Sequence, residues 1–574
     1  MVGAVAVVTW LWVLTHHVNG AAVSSDGATV MLEADAVLHG NLVLHGWWLS
    51  LDSWWTLDVV VFAAAMGVVG SYPALLLVVP ALVAGLAVVA GVVLARRGQR
   101  GAPAWAGSLL VVGVLAFPGH PLATQFLASP WHQTTILYAL AAFIALRRGR
   151  FGLGWALAVV LLGAGMLGDL MMVAYGTVPV ALGGVVAILR RRSLRAGAAP
   201  LTAAALATAG AYLVRVLTAA LGAYRLGPTN PRAGVTEALH NLHLLVTLAL
   251  PGMWGVRSVS GLGSGGAGPA IHAAHLVGFC AVAAGFLFAL WSLLRGALAG
   301  RVPGESAVAG GATGGAGRAG AESGTARSSE GIGRAGTEGG WAAGTRRRAA
   351  GARSVRPPAG EAEPWRLDDI LVIAAFGPAL SYVVLALTPS PAYFRYLTAT
   401  VVFATIAAGR MLTRWWSQTP AATWRRAAEV VAGVTLAGFV AGSGLQLARP
   451  AATSPEPTLV SFLRSRHLSV GVGDYWAASI TTVETRGAIR VRPVVADPSG
   501  QLEAYNKGPV RSWFAGVGFQ FLVFHGNGGY GGVDLPHAEK TWGPPAHVYS
   551  VDHGAYTVLT WSHLVHVTRY APRR

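Results

Sequence analysis

Apolar residues run along this chain in long blocks separated by short polar or basic stretches. A helix needs roughly 20 such residues to cross the hydrocarbon of a bilayer. Blocks near that length fall at 73–94, 199–222, 270–294, 368–388, 393–412 and 427–447. Shorter blocks at 104–117 and 134–146 flank a polar loop from Pro118 to Gln133, and 152–190 holds two blocks parted at Gly168-Asp169. With the N-terminal block, the pattern predicts a polytopic all-α membrane domain of about eleven transmembrane helices. After Pro455 the period shortens to two. A helix is predicted at Leu459–Arg466, then strands at Ser479–Val483, Ile489–Val494, Phe519–Phe524, His547–Val551 and Tyr556–Trp561. Glycine-rich turns such as 526–532 separate them, so the C-terminal end reads as a small α/β domain.

The first block, Val2 to Leu14, is short for a span, and no Lys or Arg precedes it as a secretory signal would require. A start codon set too far downstream, or a short or tilted helix, accounts for both facts. Between Arg301 and Arg366 the chain turns to Gly, Ala, Ser, Arg and Glu. Such a stretch buries too little surface to offset its chain entropy, which predicts a disordered linker. Arg346-Arg347-Arg348 within it suits anionic lipid, although a solvated linker is the plainer reading. The expected division is a first membrane domain (1–294) with an acidic loop (16–58), a linker (295–366), further membrane helices (367–447) and the α/β domain (448–574).

Composition agrees with a membrane protein: 54% of residues are hydrophobic and 11% charged, against about 25% charged in soluble domains. The net charge of +18 could suggest nucleic acid, but the arginines sit in short clusters between apolar blocks. Those clusters are Arg96-Arg97, Arg147 to Arg150, Arg190 to Arg192, Arg295 to Arg301 and Arg410 to Arg414, and they fall at every second connection. Positive clusters mark cytoplasmic helix ends. The reading is therefore a multi-pass plasma-membrane protein with a cytoplasmic N-terminus and no nucleic-acid partner. The acidic loop, the 118–133 loop, Arg395 and everything after Ala448 then lie outside. The single cysteine, Cys280, excludes a disulfide framework and a cysteine-based zinc site.

Chemistry concentrates in the acidic loop. Asp26, Glu33 and Asp35 crowd together just before Trp47, Trp48, Trp54 and Trp55, rings that favour the headgroup level. On an interfacial helix, Asp26 and Glu33 are two turns apart and share a face, while Asp35 points roughly 160–200° away from Glu33. Asp26 and Glu33 are the candidate catalytic acids, with Asp35 a substrate contact or a solvent-facing cap. Ser24-Ser25-Asp26-Gly27 is also a helix-capping signature, which gives Asp26 a plainer alternative. Asp58 opens the next apolar stretch as a second site acid or a cap. Asp169 reads as a helix breaker, and Arg215 as a snorkelling or paired charge within its span. Outward-facing histidines are His16, His17, His39, His45, His120 and His132. His132, in Ser129-Pro-Trp-His-Gln133, is the candidate for phosphate or metal. Asp474-Tyr-Trp476, Trp513 and Tyr530 of the last domain are sugar-binding or core aromatics.

The spacing Asp26, Ala34, Leu38, Gly40, after a first span and before a loop, resembles the GT-C superfamily of membrane glycosyltransferases. Its members include protein O-mannosyltransferases, aminoarabinose lipid A transferases and arabinosyltransferases. The likeness covers the architecture broadly and the motif over a short stretch. It departs where the family's usual second acid is Gly27 and an expected aromatic is Val30. The resemblance implies inverting transfer of a sugar from a polyprenyl-phosphate donor to an envelope glycan, lipid or protein on the outer face. Asp26 would be the base. Arg395, in Pro391-Ala-Tyr-Phe-Arg-Tyr396, would hold the phosphate with Tyr393 and Tyr396 as donors, against the plainer reading of a snorkelling arginine. Some members use a divalent cation and others none, so no cofactor is fixed. Two alternatives stand beside this reading: a transporter or flippase of a lipid-linked or small polar solute, and a non-catalytic GT-C-like scaffold.

Overall fold

The computed structural model describes residues 2–19, 24–96, 101–127, 132–148, 150–227, 231–257, 269–299, 366–385, 391–418, 422–448, 456–506, 508 and 510–570. The chain begins with α1 (Val2–Asn19), α2 (Ser25–Leu38), β1 (Trp48–Leu49), α3 (Asp58–Val69), α4 (Leu75–Arg96), α5 (Ala102–Ala116), α6 (His120–Phe126), α7 (Gln133–Ala145) and α8 (Leu153–Gly168). A π-helical turn, Val173–Thr177, leads into α9 (Val178–Arg191), followed by α10 (Leu194–Ala220), β2 (Arg225–Leu226), α11 (Val235–Leu244), α12 (Leu250–Met253) and α13 (Pro269–Ala299). The second group is α14 (Leu367–Val384), a 3-10 turn (Pro391–Leu397), α15 (Thr398–Gln418) and α16 (Ala422–Leu447). Most of the predicted linker, including Arg346-Arg347-Arg348, lies outside the described residues, while 295–299 continue α13.

Each predicted apolar block contains a helix, and six helices are long and apolar enough to cross a membrane by length and composition. This is a multi-pass membrane protein. The helices approach closely through small residues, as membrane helices do where no hydrophobic drive separates them from lipid. Gly107 of α5 meets Gly409 of α15 so tightly that an added Cβ would stand 2.4 Å from the Gly409 carbonyl oxygen.

Arginines of two of the basic clusters bind helix ends together. Arg410 donates to Asp368 at 2.5 Å and to the Leu94 carbonyl at 2.6 Å, and Arg414 pairs with the same Asp368. Arg190 forks onto Asp369 and reaches the Leu293 carbonyl at 3.2 Å. These bonds tie the ends of α4, α9, α13, α14 and α15 together. Arg215 is exposed on α10.

The C-terminal domain follows as α17 (Glu456–Ser465), β3 (Val470–Gly473), α18 (Tyr475–Glu484), β4 (Arg490–Ala496), β5 (Leu502–Ala504), β6 (Phe519–His525), α19 (Leu535–Trp542), β7 (His547–Val551) and β8 (Tyr556–Val565). The strands form one sheet in the order β5-β4-β3-β6-β8-β7. β3 runs parallel to both β4 and β6, with Val472 opposite Arg492 and Leu522. The α/β domain is as the alternation predicts, with one correction: Ser479–Val483 is helix, not strand. Parallel β3 and β4 need a crossover connection, usually a helix, and this segment supplies it. Asp474 caps α18, and the Thr481 and Thr482 hydroxyls return to carbonyls one turn back, at 2.7 and 3.1 Å. Burial of Ala477, Ala478 and Ile480 outweighs the β-branched preference.

The domain is locked to the membrane part at the end opposite the basic clusters. Trp47 pairs with Val510, Gly508 N–H donates to the Trp48 carbonyl, and the Trp47 and Trp513 rings meet edge-on at 5.2 Å.

Candidate active site

The first turn of α2 is capped by Ser24, whose hydroxyl accepts from Gly27 N–H at 3.3 Å. The capping role that the sequence offers to Asp26 thus falls to its neighbour, and the Asp26 carboxylate turns to other partners. Tyr475 O–H donates to Asp26 Oδ1 at 2.5 Å, and Arg395 Nη1 stands 3.6 Å from Oδ2. Two further bonds clasp α2 to α18: Ser25 O–H to the Trp476 carbonyl at 2.6 Å, and Thr29 O–H to Ser479 Oγ at 2.9 Å. The Asp26 and Arg395 side chains keep 12% and 23% exposure. Burial and the Asp26 charge push the Tyr475 phenol well above its ordinary value, so it stays a proton donor.

Arg395 sits in the 3-10 turn before α15, its guanidinium 5.4 Å from the Tyr396 ring centre. The Tyr396 ring lies 5.1 Å from that of His132. His132 precedes α7 in the left-handed region, φ 73°, a costly conformation for a residue with a side chain. Its Nδ1 meets Asp169 Oδ2 at 2.7 Å, and Asp169 also accepts from the Thr135 hydroxyl and from Met171 N–H at 2.8 Å. Asp52 completes the group: a carboxylate oxygen each from Asp52 and Asp169 and a ring nitrogen of His132 lie within 4.8 Å of one another.

Electrostatics divide these three. Burial and the Asp169 charge push the Asp52 carboxyl up to about 7, against the pull of His132 and Arg395. Burial also opposes ionisation of Asp169, but the His132 charge and three hydrogen bonds outweigh it and hold this carboxylate below its ordinary value. Burial disfavours the His132 imidazolium, and Asp169 more than compensates, raising it. Two carboxylates this close need a positive partner between them, a proton or a cation. The donor set of two carboxylates and an imidazole fits a divalent cation.

The other predicted residues spread around this centre. Glu33 is buried on α2, and burial together with the Asp26 charge keeps its carboxyl well above the ordinary range. Seven residues of helix separate it from Asp26 by about 10 Å along the axis. Asp58 is buried at the start of α3 and accepts from the Thr134 hydroxyl at 2.9 Å. Asp35 is half-exposed and pairs within its helix with His39, whose ring nitrogen is 3.6 Å from Oδ1. His45 donates to the Gly222 carbonyl at 2.6 Å. The side chains of Tyr393, His16, His17 and His120 lie outside the described residues.

Asp52 and Asp169 were not among the predicted site residues, and Tyr475 was expected only as a sugar-binding or core aromatic. Asp169 was legible only as a helix breaker, although a charge interrupting an apolar block is itself a functional signal. Asp52 sits unmarked among tryptophans. Tyr475 is 449 residues from Asp26, and nothing in local sequence joins them.

No family model and no curated protein matches the chain. Its structure is similar to two crystal structures of ArnT from Cupriavidus metallidurans, each at 12% identity and covering 100% of this chain and 99% of that one. The apo structure aligns with a TM-score of 0.50, and the structure bound to undecaprenyl phosphate with 0.48. At this identity the likeness is one of fold: the polytopic helical part with a small C-terminal α/β domain, expected from the sequence, is the architecture the chain adopts.

Proposed function

We propose that this protein is a membrane glycosyltransferase that moves a sugar from a polyprenyl-phosphate donor to a hydroxyl of a cell-envelope acceptor, with inversion. The observation that carries the reading is Asp26, partly exposed, with Tyr475 on one oxygen and Arg395 beside the other. By the positive-inside rule the arginine-lined end faces the cytoplasm, which puts Asp26 and the C-terminal domain outside.

In the reaction, Asp26 accepts the proton of the acceptor hydroxyl as its oxygen bonds to the anomeric carbon. The bond from that carbon to the phosphate oxygen breaks on the opposite face, and its electron pair leaves with the polyprenyl phosphate. Arg395 offers a planar fork of donors to the departing phosphate, and charge stabilisation of this kind is worth most in a water-poor site. Tyr475 positions the base, while Tyr396 holds the guanidinium from below. Asp52, His132 and Asp169 are the residues to hold a divalent cation, which when bound supplies positive charge for the phosphate. Gly27, where relatives carry a second acid, leaves Asp26 to act with these partners. The charged clusters lie at helix ends, whereas a transporter would gather them at the midplane.

The test uses protein in lipid with a panel of polyprenyl-phosphate sugars and an envelope extract, reading free polyprenyl phosphate and transferred label. Asp26→Asn is expected to lower turnover by about 10²–10⁴-fold. Undiminished transfer in that variant would remove Asp26 as the base. No donor cleavage by the wild type would remove the transferase reading.

A further inference from the structure

Beside Asp26 the C-terminal domain presents four aromatic rings in mutual contact. Tyr475 lies 5.1 Å from Trp476 and 5.2 Å from Tyr505, and Tyr530 stands 6.0 Å from both Trp476 and Tyr505. Tyr475 and Tyr505 are buried, at 8% exposure each, whereas Trp476 and Tyr530 are open at 38% and 44%. The wall thus descends from solvent to the hydroxyl that holds the proposed base.

Its place in the sheet is also that of a binding crevice. β3 has β4 on one side and β6 on the other, and the crossover helix α18 leaves toward β4. Open α/β sheets bind ligands outside the carboxyl ends of strands at such a switch point. In many of them a phosphate occupies the helix N-terminus there. Here the position is filled by the chain itself. Asp474 is fully buried, accepts from Ala477 N–H at 3.0 Å and His525 N–H at 2.7 Å, and meets the His525 ring at 3.0 Å. The glycine turn closes over it: a Cβ on Gly529 would stand 2.4 Å from Asp474 Oδ2. An anionic ligand would therefore meet a resident carboxylate. The open rings of the wall are an indole and a phenol, Trp476 and Tyr530, neither of which carries charge. Such a surface suits a pyranose or furanose, whose C–H faces stack on rings while its hydroxyls bond to phenols.

Resting on the transferase reading, we propose that this crevice is the acceptor subsite and that the acceptor is a neutral oligosaccharide, stacked on Trp476 and Tyr530 with its terminal hydroxyl delivered to Asp26.

The experiment gives the full-length protein, in lipid, neutral mannan, arabinan, galactan and glucan fragments. Wild type is compared with Trp476→Ala, Tyr530→Ala and the ring-preserving Trp476→Phe and Tyr530→Phe. Fragment binding is followed by intrinsic fluorescence, and transfer by acceptor KM and kcat. At least one fragment class should bind. The alanine variants should raise acceptor KM at least tenfold with a smaller change in kcat, and the phenylalanine variants should recover most of the loss. Binding that weakens in the alanine variants supports the subsite even if no donor is cleaved, an outcome that would sink only the transferase reading. The subsite is overturned if no fragment binds the wild type, or if KM and binding are indifferent to the alanine changes. It is equally overturned if cleavage of donor by water falls as far as transfer does, because the rings would then serve the donor.

Discussion

At the arginine-lined end of the bundle, Asp368 is matched by Arg410 and Arg414, and Asp369 by Arg190. At the other end Arg395 stands beside Asp26, His132 binds Asp169 with Asp52 close by, and Glu33 is buried a little farther along α2. The first arrangement sets a guanidinium against both of these carboxylates and stitches helices together. In the second, the cation contacts leave the carboxylates unevenly matched: burial and neighbouring charge push the Asp52 carboxyl up to about 7 and the Glu33 carboxyl well above its ordinary value. A cluster that stores protons and awaits positive charge is suited to chemistry, while a saturated one is suited to holding shape.

Breaking the saturated end should cost stability. Arg410→Met leaves the buried Asp368 with Arg414 alone, so the loss should approach but not exceed the about 3–5 kcal/mol that removing one partner of a buried pair typically costs. A large drop in thermal stability in lipid, with unchanged turnover per folded molecule, is the expected result. Arg395→Ala at the other end should act the opposite way, lowering kcat by about 10²–10³ with little change in melting. Exchange of these two phenotypes would reverse the roles assigned to the two ends.

The proton-storing cluster makes a prediction about pH. Asp52 and His132 both bind protons more tightly in the folded chain than in the unfolded one. The cation-free fold therefore loses stability as pH rises from the ordinary carboxylate value through about 7. A divalent cation must displace those protons, so Mn²⁺ affinity, measured by calorimetry, should rise about tenfold or more per pH unit below 7 and level off only once His132 has also lost its proton. A flat profile would remove the cation site. The smallest effect is expected at Asp35, which is half-exposed and pairs only along its helix with His39 among its recorded partners. Asp35→Asn should change stability by under about 0.5 kcal/mol and turnover less than twofold.

The membrane helices were legible because an apolar block in lipid has few alternatives to helix. The strands β4, β6, β7 and β8 were legible from alternation. Helix α18 was not, because its register is set by a crossover and by burial between the sheet and α2, not by Ser479-Ile-Thr-Thr-Val483 itself. The site divides in the same way. Asp26, His132 and Arg395 stood out because charge or imidazole at a helix end in an apolar chain is conspicuous. Their assembly with Asp52, Asp169 and Tyr475 depends on loops and helix ends that meet only in the folded protein.

The most direct test sets the two ends against each other in one assay: release of polyprenyl phosphate from a lipid-linked sugar by Asp26→Asn and by Asp369→Asn, each normalised to folded protein. The account predicts loss of release in Asp26→Asn and near-normal release in Asp369→Asn. Equal loss in both, or release that survives in Asp26→Asn, would contradict it.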